Sequence, residues 1–143
     1  MIAHRIVRST RLHLAGVQAR ATPGPSPVFE ALWTRMSPHV MGKPCFGVCS
    51  DFKDGSFTYL VAIEVEEGSV LPEADWVTMA IPEHDFAVFD HKGDFTTIGE
   101  TWEAIMQAKD LARDFSIPSI EKYEAGLTCD GGLAIWVATK TVQ

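Results

Sequence analysis

I-P-E-H-D-F-A-V-F-D-H-K-G-D-F-T-T-I-G-E-T-W-E-A-I-M, Ile81 to Met106, followed by F-S-I-P-S-I-E-K-Y, Phe115 to Tyr123, is the stretch that decides the fold. Phe86, Val88 and Phe89 mark a strand, and His91-Lys92-Gly93 marks a turn after it. Ile98, Trp102, Ile105, Met106 and Leu111 then recur at helical spacing, predicting an amphipathic helix from about Thr96 to Phe115. Thr97 with Glu100 three residues on has the form of a capping box. Pro118 bars the helix from continuing. Strands are expected over Ile120–Glu124 and Leu133–Lys140, joined by a turn at Asp130-Gly131-Gly132.

The chain before this stretch has the same grammar. His4–Ala21 is expected as a strand, with Val7, Leu12, Leu14 and Val17 in the core. The turn residues A-T-P-G-P-S-P lead to a helix from Val28 to about Val40, with Phe29, Leu32, Trp33 and Met36 as its apolar stripe. Gly42 and Pro44 stop it. C-F-G-V-C-S-D-F and F-T-Y-L-V-A-I-E-V flank an Asp54-Gly55 turn, a strong hairpin signal. Asp75–Ile81 is expected as a further strand. Trp33 falls on Trp102 when the halves are aligned, and A-I-E-V (Ala62–Val65) falls on A-I-W-V (Ala134–Val137). The shared element order and the shared offset predict an α+β fold of two tandem repeats, about 1–72 and 73–143. Antiparallel sheets would carry two helices, with a central cleft where the repeats meet.

Bulk properties narrow the function. With 143 residues, 46% hydrophobic and 22% charged, the chain has the makings of one globular domain. A formal net charge of -7 argues against a nucleic-acid-binding surface over the whole protein. Arg5, Arg8, Arg11 and Arg20 stand in an acid-poor start, which we read as a basic first strand rather than a transit peptide. No apolar run is long enough to span a bilayer, so no membrane role is expected. The three cysteines, Cys45, Cys49 and Cys129, are odd in number and have no paired spacing, so a reducing, cytoplasmic setting is expected. The scattered histidines give no metal-ligand pattern, and His84, Asp85, Asp90 and His91 read as polar residues flanking a strand. No nucleophile elbow and no phosphate-binding glycine loop are present, and no cofactor is expected.

Glu121 and Tyr123 are two apart in a strand and face the same side. By pattern alone Glu121 is either a solvated edge charge or a pocket carboxylate, and Tyr123 either packs or lines a pocket. Trp136 likewise has a core or a ligand role open to it. Trp33 and Trp102 read as core, and Trp76 has no pattern to place it.

Four motifs in order, H-x-G (His91–Gly93), T-W-x-x-I (Thr101–Ile105), P-x-x-E-x-Y (Pro118–Tyr123) and I-W-V (Ile135–Val137), resemble the gyrase-inhibitor-like (GyrI-like) small-molecule-binding domains. These domains also serve as effector-binding modules of AraC- and MerR-type transcription regulators. Y-L-V-A-I-E-V (Tyr59–Val65) resembles the family's Y-x-x-G-V-E-V strand, with Ala62 where glycine is common. Ala138 stands where the family often has proline after I-W-V. The resemblance covers essentially the whole chain and implies a duplicated SH2-like fold, a single domain over 1–143, with the pocket carboxylate at Glu121. No helix-turn-helix domain fits in this length, so the expectation is a stand-alone member of the family or, alternatively, a domain cut from a regulator, with no direct nucleic-acid binding by this chain.

The resulting expectation is a binder of lipophilic, cationic or electrophilic small molecules that senses or sequesters them. Its pocket is formed by Glu121, Tyr123, Tyr59, Phe46 and Trp136. A carboxylate among aromatic rings attracts cations by charge and by cation–π contact, the latter worth about 0.5–2 kcal/mol. The alternative is a hydrolase that detoxifies electrophilic natural products, as some GyrI-like proteins do, with Glu121 as general base. A gyrase-modulating protein and a haem binder of the related SOUL fold are weaker alternatives. The expected partner is a small lipophilic molecule, with a protein partner or a homodimer also allowed.

Overall fold

The computed structural model describes residues 4–24, 26–40, 42–92, 97–108, 111–127 and 132–140. The expected turn residue Gly93, the helix start at Thr96, Cys129 and the turn residues Asp130 and Gly131 lie outside the described residues. The elements run β1 (Arg5–Ser9), β2 (Leu12–Ala21), α1 (Pro27–Val40), β3 (Cys45–Lys53), β4 (Ser56–Glu64), β5 (Val77–Ile81), β6 (His84–Asp90), α2 (Ile98–Met106), β7 (Ser119–Leu127) and β8 (Leu133–Ala138). The fold is α+β, and all the strands join one antiparallel sheet in the order β1-β6-β8-β7-β3-β4-β2-β5. Separate sheets were expected, but β3 pairs with β7 and joins the halves. From either edge inward, the order is an edge strand, the strand before a helix, a hairpin strand and the strand after that helix.

Two further expectations are corrected. His4–Ala21 is two strands, not one: β1 pairs with β6, whereas β2 pairs with β4 and β5. Arg5 and Arg8 of β1 meet Asp90 and Asp85 of β6, which explains the basic start. Helix α2 ends at Met106 rather than Phe115, and Met106 is exposed. Past it, the Ala108 N–H turns to the Ile105 carbonyl. The chain then runs as a strap beside the end of β8, with Arg113 bridging Thr139 and the Asp114 N–H donating to the Ala138 carbonyl. These bonds use backbone groups that a longer helix would have kept for itself.

Local chemistry explains the other boundaries. Ser26 precedes α1, and its Oγ accepts from the Val28 N–H at 3.2 Å, with Pro27 in the first helical position. Pro38 lies in the last turns of α1 and has no N–H for the Thr34 carbonyl; the Ser37 hydroxyl donates to that oxygen instead, at 3.0 Å. The β3–β4 turn holds Asp54 at φ 53 and Gly55 at φ 73, the pair of left-handed residues that a tight hairpin turn requires.

The sheet has an apolar layer on each side. One face carries the helices. Helix α1 lies over β2 and β4, burying Leu32, Met36 and Val40 with Val17, Phe57 and Val61. Helix α2 brings Ile105, Ile98 and Trp102 onto Ala87, Phe89, Ile135 and Val137 of β6 and β8. The central strands β3 and β7 therefore run between the two helices. The other face buries Leu14, Phe46, Val48, Leu60, Phe86, Val88 and Ile120. Among the described residues, no helix is long and apolar enough to cross a membrane.

Candidate functional site

Strand alternation places the site. On β7, Ser119, Glu121 and Tyr123 point to the helix-covered face. Across the β3–β7 ladder they meet Cys49, Gly47 and Cys45 respectively. Tyr59 on β4 pairs with Cys49 and shares that face.

Glu121 is 6% exposed, at the middle of this seam. Its Oε1 accepts from the Tyr59 hydroxyl at 2.6 Å and from the Tyr123 hydroxyl at 2.9 Å. Its Oε2 accepts from the Trp102 indole N–H at 2.7 Å. Phe29 of α1 meets Tyr59 edge-on at 4.7 Å, and Trp33 meets Tyr123 edge-on at 4.9 Å. The carboxylate is thus closed in by aromatic side chains from both helices and both central hairpins.

The electrostatics follow from this enclosure. Burial pushes the Glu121 pKa above its ordinary value, and the hydrogen bonds from Tyr59, Trp102 and Tyr123 oppose that shift. Burial and the neighbouring Glu121 charge push both tyrosine hydroxyls well up, so they remain donors. Burial also raises the thiols, Cys45 to about 12 and Cys49 upward as well, so neither is a nucleophile at neutral pH. All three groups that bond Glu121 are neutral, and among the described residues no lysine or arginine forms an ion pair with it.

Gly47 makes this arrangement fit. A Cβ there would collide with the Tyr59 hydroxyl and with Glu121 Oε1. A glycine inside a strand is a signal of such close approach, and it points to this position in the sequence.

Of the residues expected in the pocket, Glu121, Tyr123 and Tyr59 come together. Phe46 and Trp136 lie on the opposite face of the sheet, because each is one residue out of phase with its site-facing neighbour. There they line a separate hollow of about 130 Å³ with Leu12 and Ile120. Trp33 and Trp102, expected in the core, are only partly buried and reach the site from α1 and α2. Thr97 caps α2 by position, just before Ile98, but its side chain makes no capping bond, and its hydroxyl lies 3.0 Å from His91 Nε2. Among the described residues, no cluster of His, Cys, Asp and Glu is arranged to hold a metal ion.

The family model described as integron-associated effector binding protein, Cass2, matches residues 25–138. The transcriptional regulator BrlR of Pseudomonas aeruginosa is 32% identical over 108 residues, 71% of this chain. The chain spans 39% of that regulator's length. The fold is similar to that of an integron cassette protein from the mobile metagenome of Vibrio cholerae, with a TM-score of 0.75 at 15% identity, covering 96% of this chain and 95% of the other. It is also similar to SAV2435 bound to tetraphenylphosphonium, with a TM-score of 0.70 at 18% identity over 97% and 94% of the two chains.

Proposed function

Since this chain belongs to the family of integron-associated effector binding proteins, we propose that it binds lipophilic cations between its two helices, with Glu121 as the counter-charge. One observation carries the reading: a buried carboxylate that, among the described residues, is held by two phenols and an indole, with aromatic rings around it. A cation entering there gains charge attraction in a low dielectric and contact with ring faces. Tyr59 and Tyr123 orient the carboxylate, while Phe29, Trp33 and Trp102 turn aside to admit the ligand and then cover it. The tetraphenylphosphonium bound by a neighbour of similar fold supports the ligand class. The likeness to BrlR supports a sensing role coupled to regulation. The mirrored strand order supports two SH2-like βαββ units within one domain over 1–143.

Titration of tryptophan fluorescence with tetraphenylphosphonium tests this. Saturable quenching in the wild type, weakened about tenfold or more in Glu121→Gln, equivalent to about 1.4 kcal/mol, is the expected result. Equal binding by both proteins removes Glu121 from the recognition account.

The raised pKa of Glu121 favours a second reading, in which the carboxylate acts as general base on a water attacking an electrophilic ligand. Turnover of an electrophilic substrate that is lost in Glu121→Gln while binding persists would replace the first reading with this one.

A further inference from the structure

Arg113 pairs with no carboxylate among the described residues. It lies in the strap after α2, partly buried, with a backbone bridge to Thr139. Its Nη2 donates to the Ser119 hydroxyl at 3.2 Å, and its guanidinium sits 4.5 Å from the centre of the Phe115 ring. Neither partner is charged. Ser119 is buried and precedes Glu121 by two residues on β7, so the hydroxyl and the carboxylate share a face about 7 Å apart along the strand. Cys49 sits opposite Ser119 and senses both charges: after burial, Glu121 raises its thiol pKa and Arg113 lowers it. The face therefore has a negative end and a positive end, with Ser119 and Cys49 between them. The guanidinium stays charged in this setting and presents a planar fork suited to a carboxylate. A hydrogen bond from it to an anion is stronger than the one it makes to a neutral hydroxyl.

We propose that the ligand site extends from Glu121 to Arg113 and takes amphoteric lipophilic molecules, the cationic end at Glu121 and a carboxylate end at Arg113. This rests on the reading of the Glu121 face as the ligand site, and adds an anion subsite to it. Arg113 then sets specificity, separating zwitterions from plain cations.

Carboxybutyl-triphenylphosphonium and its methyl ester form a matched pair that differs only in the anionic end. Their dissociation constants, measured by tryptophan fluorescence, should differ in the wild type by about tenfold in favour of the acid. The ratio should fall to about one in Arg113→Met and stay above one in Arg113→Lys. Glu121→Gln should weaken both compounds and leave the ratio standing. An acid that binds no more tightly than the ester in the wild type overturns the anion subsite while leaving the cation site intact. So does a preference that survives Arg113→Met. If Arg113→Met does not fold by circular dichroism, the wild-type pair and Arg113→Lys decide the matter. Failure of tetraphenylphosphonium, acid and ester alike to bind overturns the Glu121 reading, and the subsite with it.

Discussion

Burial sets what it costs to ionise Glu121. Its folded-state pKa is raised above the ordinary 4.5, so the folded protein holds the proton more tightly than the unfolded chain does. Its contribution to stability is complete below that ordinary value and is lost as the pH rises through the raised folded value. Urea unfolding of the wild type at rising pH should show this loss, and Glu121→Gln should lack it. A bound cation favours the ionised form, so affinity for tetraphenylphosphonium should rise with pH over the same window and stay flat in Glu121→Gln. Gly47→Ala should cost about 1–3 kcal/mol through overpacking and should weaken cation binding, because the added methyl separates Tyr59 from Glu121. Unfolding midpoints and the same titration check both effects. At this scale the pair Glu121 and Tyr123 was legible, because two residues apart on a strand means one face. Gly47 is marked only as a glycine inside a strand; that Glu121 lies opposite it is not legible, because the pairing joins distant parts of the chain and local pattern does not fix that register.

Elements were legible where chemistry is local. Asp54-Gly55 announced its hairpin, and its positive φ values explain why. Asp54→Ala should destabilise by about 1 kcal/mol, since alanine is strained in the left-handed region, whereas Asp54→Asn should be nearly neutral. Denaturant unfolding of the two variants separates these outcomes. The end of α2 was not legible, because its hydrophobic spacing runs on to Leu111 while the backbone after Ala108 bonds to the end of β8. Phe46 and Trp136 show the same limit in the sheet. Their strands were foreseen, but a face assignment depends on which residue lies opposite which, and a step of one reverses it. Trp33 and Trp102 were rightly placed on apolar helix stripes. The helix spacing, however, does not distinguish the middle of a stripe from the edge that overhangs β3 and β7.

Across the whole molecule, the ladders between the halves bind them into one unit. β1 belongs to the start of the chain but pairs with β6, and β3 pairs with β7 beneath the site. Neither half can open without breaking ladders that hold the other, so tryptophan fluorescence and far-ultraviolet circular dichroism should report coincident unfolding transitions. A ligand that binds only the folded form should stabilise it by about 2.7 kcal/mol at a hundredfold excess over Kd. Thermal melts with tetraphenylphosphonium should show this as a concentration-dependent rise in Tm. The seam also has a consequence for inheritance. Tyr59 and Gly47 come from the first half of the gene, and Glu121, Tyr123 and Trp102 from the second. A mutation in either half alters the same cluster, so under the proposed reading a change in ligand preference can arise on either side of the gene.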